Sequence, residues 1–487
     1  MRRPEVLREL IQRFELRPEL PEGCEREAEA WVQDPGVDDP GLIELRHLPF
    51  CTIDEVHSKD LDQALHVEAL PVGWRLHYAI ADAGWFVRPG TAVFEEALIR
   101  GATCYLPGLV VPMLPLALSE GIVSLNPQVD RRALVFRVEL DGDGAVVSEE
   151  LLRARIHSHA KLSYDGVQAW LDGGETPTDE VGVLDSLRAL VGLGSARLNE
   201  ARSRHVLCVR RSEVDVRLEG LRFVALDGAR NDVERYNEQV SLLCNMLGAE
   251  RMAAARGPDV QPVFRVHAPP EPVRMQELRD FCRALADAHG QPELVWREEP
   301  LSVFTRRLPT EGPAVAIHRA ALRAGGRSGY AAQPGPHHGV GAKAYARFTA
   351  PMREVVGVWT HKEVWELGAP MGTPDDERLR RQVIRSASRS HNRQRQVDKA
   401  VNRAVLDQLL ADGRAHTATL MAVSERSAVL QLRDPAIELK AYVEDLPSAS
   451  VDGITLRSGG ATYRVGQRLQ VRARDVYSDR WRLALTA

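Results

Sequence analysis

An α+β, multidomain architecture is predicted for this 487-residue chain: a mixed sheet surrounded by helices, a small, mainly helical segment before it and an all-β barrel after it. Three observations carry this reading. Strand-like runs rich in apolar, β-branched and aromatic residues, "LIELRHLPFCTID" and "WRLHYAIADAGWFV", open the main part. From Ala160 to about Leu410 the apolar spacing is largely helical. After "ADGRAH", Ala411 to His416, the period returns to two.

Residues 1–49 carry two short helical patterns, "PEVLRELIQRFEL" and "CEREAEAWVQ", separated by Pro and Gly, then the linker-like "DPGVDDPG". With the strand "LIELRHL" they are expected to form a helix-turn-helix or winged-helix-like module that depends on docking to the main core. Residues 50–412 are assigned to the main mixed domain. In residues 413–487 the runs "TATLMAVSERSAVLQL", "IELKAYVEDL", "ATYRVGQRLQVRARDV" and "DRWRLALTA" read as short strands of a small barrel.

Charge is nearly balanced, 63 Lys and Arg against 68 Asp and Glu, so a polyanion-binding surface must be local. The six cysteines form no C-x-x-C pair and fall mostly in apolar runs, as buried thiols of a reducing compartment do. The N-terminus carries charges where a signal peptide is apolar, and no stretch approaches a membrane span. A cytoplasmic protein, acting as a monomer away from membranes, is expected.

"TIDEVHSKDLDQAL", Thr52 to Leu65, places Asp54, Asp60 and Asp62 just after a strand. In an extended segment Asp60 and Asp62 leave one face while Leu61 points into the core. Asp54 closes the preceding strand, and "EVHSK" can loop back to bring it beside them. Acids in turns commonly cap backbone donors. Here, apolar runs on both sides put them at the edge of a buried sheet, where uncompensated charge is costly. An oxygen-preferring cation such as Mg²⁺ suits three such carboxylates. An EF-hand is rejected, since Lys59 and Leu65 stand where its glycine and bidentate acid belong.

Five further stretches follow in order: "HYAIADAGWFV", "CYLPGLVVPMLPLALSEGIVSLNP", "SHAKLSYDGVQAWL", "ERYNEQVSLLCNML" and "GPHHGVGAKAYARFTAPMR". Together they resemble the catalytic (RNB) domain of the ribonuclease II family of processive 3′-to-5′ exoribonucleases. The final strands resemble the S1-type OB-fold that follows it.

The resemblance places the family's four clustered acids on Asp54, Asp60, Asp62 and Gln63, so the fourth is an amide that offers at most a neutral, weaker ligand. It implies Mg²⁺, with Mn²⁺ as the alternative, and lowered metal affinity or altered metal preference. The family's arginine falls on Arg353, suited to bind phosphate and stabilise transition-state charge. Downstream, Val355 and Gly357 replace a Tyr and an Asp, while His361 and Lys362 remain. Tyr105 falls on the tyrosine that stacks on a base near the 3′ end, and Glu238 on an acid near the terminal nucleotide. Tyr164 is matched to a phosphate or RNA contact and His337 to a structural role. A second stacking aromatic falls near Cys208, which has no ring.

Arg381, Arg385, Arg389 and Arg393 recur every four residues in a run nearly free of acids. A charge run usually marks a solvated helix face; between a catalytic core and an OB-fold, this one is expected to line an RNA channel. With only about 49 residues ahead of the catalytic strand, the channel mouth is expected to be wider than where two OB domains precede it, so that duplexes with a 3′ overhang are approached more closely. The resemblance implies a hydrolytic exoribonuclease that threads single-stranded RNA from its 3′ end and releases nucleoside 5′-monophosphates. The alternative is a catalytically impaired RNA-binding protein, motivated by Gln63 and Gly357.

Overall fold

The computed structural model describes residues 5–207, 213–228, 230–255, 260–367, 375–477 and 480–486. Two amphipathic helices, α1 (Glu5–Arg13) and α2 (Glu22–Gln33), open it and bury one face each. Leu7 and Leu10 of α1 join the core built by the C-terminal strands, while Cys24 and Ala28 of α2 join the core beneath the main sheet.

The main sheet follows: β1 (Ile43–Glu44), β2 (Phe50–Asp54), β3 (Gln63–Ala69) and β4 (Trp74–Ala81). After α3 (Ala83–Phe86), α4 (Ala92–Arg100) and the hairpin β5 (Cys104–Leu106) with β6 (Leu109–Val111), it is completed by β7 (Asp130–Leu140) and β8 (Val146–Ser163). The order is β1-β8-β2-β3-β4-β7. β8 pairs antiparallel with β7 over its first part and parallel with β2 from Ser158 to Ser163, so the pairings return on themselves. Only Ile43 and Glu44 of "LIELRHL" form strand, paired into this sheet, because the chain turns at Arg46 and His47.

Both faces of the central strands β2, β3 and β4 are largely buried. Tyr78 and Ile80 point to one core, Ala79 and Ala81 to the other, as the two-residue period dictates. The chain continues through α5 (Tyr164–Leu171), α6 (Val181–Ser203), the hairpin β9 (Glu213–Glu219) with β10 (Arg222–Gly228), and α7 (Asp232–Ala254). That hairpin lies in a stretch expected to be helical; "EVDVRLE" and "RFVALDG" alternate with period two around Gly220 and Leu221. α6 and α7 cover the Tyr78 face through Leu187, Leu190, Val240 and Leu243.

Next come β11 (Phe264–Val266), α8 (Pro272–His289), α9 (Leu301–Arg307), α10 (Ala314–Ala324) and β12 (Gly329–Ala331). α11 (Val355–Glu366) and α12 (Asp376–Leu410) close the opposite face with Trp359 and Val383. The C-terminal unit contains β13 (Ala415–Val423), β14 (Ser427–Leu432) and β15 (Glu438–Tyr442), a small sheet of β16 (Ser450–Asp452), β17 (Thr455–Ser458) and β18 (Ala461–Arg464), then β19 (Arg468–Tyr477) and β20 (Arg480–Thr486). Its main sheet is antiparallel, ordered β15-β14-β13-β19-β20, around Leu420, Leu430, Val471 and Leu483. The α+β class and the all-β C-terminal unit are thus as expected. Among the described residues no helix is long and apolar enough to cross a membrane.

Candidate active site

β2 ends at Asp54, whose Oδ1 accepts from Glu55 N–H at 2.8 Å and from the Ser58 hydroxyl at 2.9 Å. The chain then turns back. Ser124 fixes its return, accepting from Leu61 N–H at 2.9 Å and donating to Lys59 C=O at 2.7 Å. Leu61 is buried, as expected, and Ala81 N–H donates to Asp62 C=O at 2.8 Å. The chain from Lys59 to Asp62 is therefore held on both sides before β3 begins.

Asp62 is only 1% exposed. Its Oδ1 accepts from Met352 N–H at 3.0 Å and its Oδ2 from Arg353 Nε at 2.5 Å. Burial pushes this carboxyl up to about 6, with Asp60 adding to the shift and Arg353 opposing it. Burial also raises Asp60, again against Arg353, with Asp54 and Glu120 as further negative neighbours. Burial works against the charge of Arg353 as well, yet Asp62, Tyr105, Asp60 and Asp54 around it hold its pKa above the ordinary value. Three acids and one guanidinium thus share one electrostatic neighbourhood.

The three carboxylates do not close into a tight cluster. Among the described residues, the one group of three whose ligand atoms lie within 4.8 Å of one another is Glu363, Glu366 and Asp376. Those three are held by Lys362 Nζ, at 2.9, 2.9 and 3.0 Å. Asp62 is drawn to Arg353 and Asp54 to its own loop. The donor set still fits a hard cation: it is all oxygen, and the single guanidinium of Arg353 is shared among Asp54, Asp60 and Asp62.

Gln63 stands apart from that set. Its Oε1 accepts from the Tyr78 hydroxyl at 2.7 Å, and its Nε2 donates to Thr349 C=O.

A cleft of about 550 Å³ is lined among others by Gln63, Tyr105, Glu238, Tyr330, Arg353 and His391; Asp54, Asp60, Asp62 and Tyr164 are not among its lining residues. Tyr105, on β5, is 43% exposed. Glu238, on α7, pairs with Arg230 at 3.1 Å. Tyr164 begins α5; its hydroxyl accepts from Asn237 Nδ2 at 2.9 Å, and burial, then the charge of Asp54, pushes its pKa up to about 12. Cys208 lies outside the described residues. His337 packs between His267 and Tyr345 with its pKa held down at about 4 by burial, a structural place.

The four arginines of α12 lie away from the cleft lining, to which this helix contributes Ala387, Ser390, His391 and Gln394. Arg389 donates to Leu98 C=O at 3.1 Å and Ile99 C=O at 2.8 Å, and Arg393 to Arg100 C=O at 2.6 Å. They satisfy carbonyls that the C-terminus of α4 leaves unpaired. Arg381 pairs with Glu377 at 2.9 Å, and Arg385 is exposed.

Sequence reasoning missed Tyr330, which lines the cleft, lies under the Arg265 guanidinium at 4.4 Å and donates to Glu354 at 3.1 Å. It also missed the polar face at 390, 391 and 394, whose helical spacing was legible beside the arginines.

The order of these residues along the chain matches a known pattern: the sequence profile of the RNB domain fits residues 42–367, more than half of the chain. The chain belongs to the RNB domain family. Ribonuclease R of Vibrio parahaemolyticus serotype O3:K6 is 32% identical to this RNB protein over 342 residues, 66% of this chain and 39% of that protein. Ribonuclease R of Escherichia coli K12 is 28% identical over 473 residues, 90% of this chain and 56% of that one. The chain therefore spans less than two thirds of the length of these curated relatives. The structure of Mycoplasma genitalium RNase R in complex with ribose methylated single-stranded RNA shares the fold, with a TM-score of 0.88 at 21% identity over 98% of this chain and 77% of that one.

Against the family pattern, Gly357 of this RNB protein has a packing reason. A Cβ there would lie 2.7 Å from Pro351 Cα, so the loop bearing Arg353 rests directly on α11. His361 is buried and bonded to Phe348 C=O at 2.9 Å.

Proposed function

We propose that this protein is a divalent-metal-dependent exoribonuclease that hydrolyses single-stranded RNA from its 3′ end and releases nucleoside 5′-monophosphates. The observation that supports it most is the Asp62–Arg353 pair at 2.5 Å: Arg353 lines a cleft that Tyr105 also lines, and Asp54 and Asp60 act on its charge together with Asp62. The bond to Asp62 uses one of the five guanidinium donors, and the Arg353 side chain is 35% exposed. Its remaining donors suit the oxygens of the scissile phosphate and the charge that grows there during hydrolysis.

Tyr105 offers a ring on which the terminal bases stack without regard to sequence. Glu238, on the cleft wall, is suited to a ribose hydroxyl, the group that distinguishes RNA from DNA. Asp54, Asp60 and Asp62 would hold Mg²⁺ or Mn²⁺, which when bound supplies an activated water and neutralises phosphate charge.

Incubation of 3′-labelled and 5′-labelled RNA with Mg²⁺ or Mn²⁺ tests this. Immediate release of labelled mononucleotide from the 3′ end, abolished in Asp62→Asn and absent with a deoxy 3′ terminus, is expected. RNA binding without mononucleotide release makes the protein a binder and overturns the hydrolase reading.

A further inference from the structure

The family pattern puts a fourth acid at position 63, and its replacement by glutamine reads at first as a lost ligand. The surroundings of the side chain point elsewhere. Tyr78 is wholly buried on β4, and its hydroxyl reaches Gln63 Oε1 at 2.7 Å. Thr349, on the loop that leads to Arg353, presents its backbone carbonyl to Gln63 Nε2. One neighbour donates and the other accepts. An amide matches both; a carboxylate has acceptors only and would face the Thr349 carbonyl with like charge. A buried carbonyl left without a donor is costly.

The same loop is gripped from two other directions. Asp62, next to Gln63 in sequence, holds Met352 N–H at 3.0 Å and Arg353 Nε at 2.5 Å. From α7, Ser241 and Asn245 each donate to the Thr349 hydroxyl at 3.0 Å, and Asn245 Oδ1 accepts from Phe348 N–H at 2.7 Å. Beneath it, Gly357 lets Pro351 settle onto α11. Gln63 is thus the strand-side anchor of a loop whose last residue is the proposed phosphate-binding arginine.

We propose that Gln63 is a positioning residue: its amide ties the Thr349–Arg353 loop to β3 and β4, and so sets where the Arg353 guanidinium stands over the scissile phosphate. Metal holding is left to Asp54, Asp60 and Asp62. This rests on the hydrolase reading for its catalytic consequence, but the tie itself does not.

Three measurements on the full chain test it, comparing wild type with Gln63→Ala and with the isosteric Gln63→Glu, which keeps the packing and removes the donor. Amide hydrogen exchange is followed at Phe348 and Met352 with no RNA present. Mn²⁺ affinity is measured by calorimetry. The kcat and KM for a 3′-hydroxyl RNA are measured at saturating Mg²⁺.

In both variants exchange at these amides is expected to quicken about tenfold or more, since each depends on the loop staying closed. The kcat is expected to fall about tenfold to a hundredfold with KM changed less than about threefold, the mark of a misplaced transition-state contact. Mn²⁺ affinity is expected to stay within about threefold of wild type in Gln63→Ala. Unchanged exchange overturns the proposal. So does a metal-ligand pattern, in which Gln63→Ala loses Mn²⁺ affinity about tenfold or more and regains its kcat at high metal, while Gln63→Glu binds Mn²⁺ more tightly and stays active. A wild type that binds Mn²⁺ and RNA but releases no mononucleotide counts against hydrolysis alone; the exchange and Mn²⁺ measurements still decide what Gln63 does.

Discussion

Gln394 of α12 pairs its side-chain amide with both backbone groups of Tyr105: Oε1 accepts from the Tyr105 N–H at 3.0 Å and Nε2 donates to its C=O at 2.9 Å. One strand pairs with another in this way; here a helix side chain supplies the partner groups and steadies β5 while leaving the tyrosine ring accessible. Gln394→Ala is therefore expected to weaken binding of a short single-stranded RNA about threefold to tenfold, each lost bond being worth about 1 kcal/mol or less at an exposed site. The kcat at saturating RNA is expected to stay within about twofold. Fluorescence anisotropy with a labelled oligonucleotide checks this, and an unchanged affinity removes the role.

Arg389 and Arg385 sit one turn apart on α12 and are expected to behave oppositely. Arg389→Ala removes the donor to Ile99 C=O and one of two donors to Leu98 C=O, which keeps the Ser386 hydroxyl, and is expected to lower stability by about 1 kcal/mol. Both are exposed, but Arg385 makes no hydrogen bond or ion pair among the described residues, so Arg385→Ala is expected to leave stability unchanged. If it touches RNA phosphate, the slope of log affinity against log salt falls by about one. Urea unfolding and salt-dependent binding separate the two; a salt effect confined to Arg389→Ala contradicts the assignment.

His361 links stability to pH. Its Nε2–H donates to Phe348 C=O at 2.9 Å, its Nδ1 has no hydrogen-bond partner, and burial holds its pKa down at about 4. Between about pH 6.5 and 4 the unfolded chain takes up a proton that the folded chain does not, so stability falls as pH drops through that window. Below about 4 both states carry the proton and this loss stops growing. His361→Gln keeps a donor for Phe348 without the titration. It is expected to shrink the stability difference between pH 7 and pH 5 by on the order of 1–2 kcal/mol. Equal slopes in urea unfolding of the two proteins count against it.

Gly357 sets how low the arginine loop rests. Gly357→Asp, which restores the residue type of the family pattern, drives a Cβ to within 2.7 Å of Pro351 Cα and 3.1 Å of the Ala350 carbonyl carbon. It is expected to cost about 1–3 kcal/mol of stability and to lower kcat about tenfold or more by displacing Arg353. A fully active, equally stable Gly357→Asp protein shows that the loop yields without consequence.

Much of this was legible in the sequence because it depended on residues close together in the chain. The alternation that gives β4 two buried faces and the spacing that sets Asp60 and Asp62 on either side of the buried Leu61 are local. So is the return to period two after His416. What was not legible depends on distant partners. The fourfold spacing of the α12 arginines says they share a face; it does not say that α4, nearly three hundred residues earlier, ends beneath Arg389. Gln63 announced a missing charge, while its purpose lies in Tyr78 and Thr349, one on the neighbouring strand and the other 286 residues away. The β9–β10 hairpin was different: its alternation was present but lay between two long helical stretches.

The parallel pairing of β2 with β8 sets Asp54 opposite Ser163, and Tyr164 follows at once as the first residue of α5. An acid of the proposed metal site and a tyrosine under its charge are therefore indexed to each other by a single ladder of backbone hydrogen bonds. A one-residue slip would turn every side chain on that stretch to the opposite face. β8 is in effect a ruler, free to change its markings but not its length.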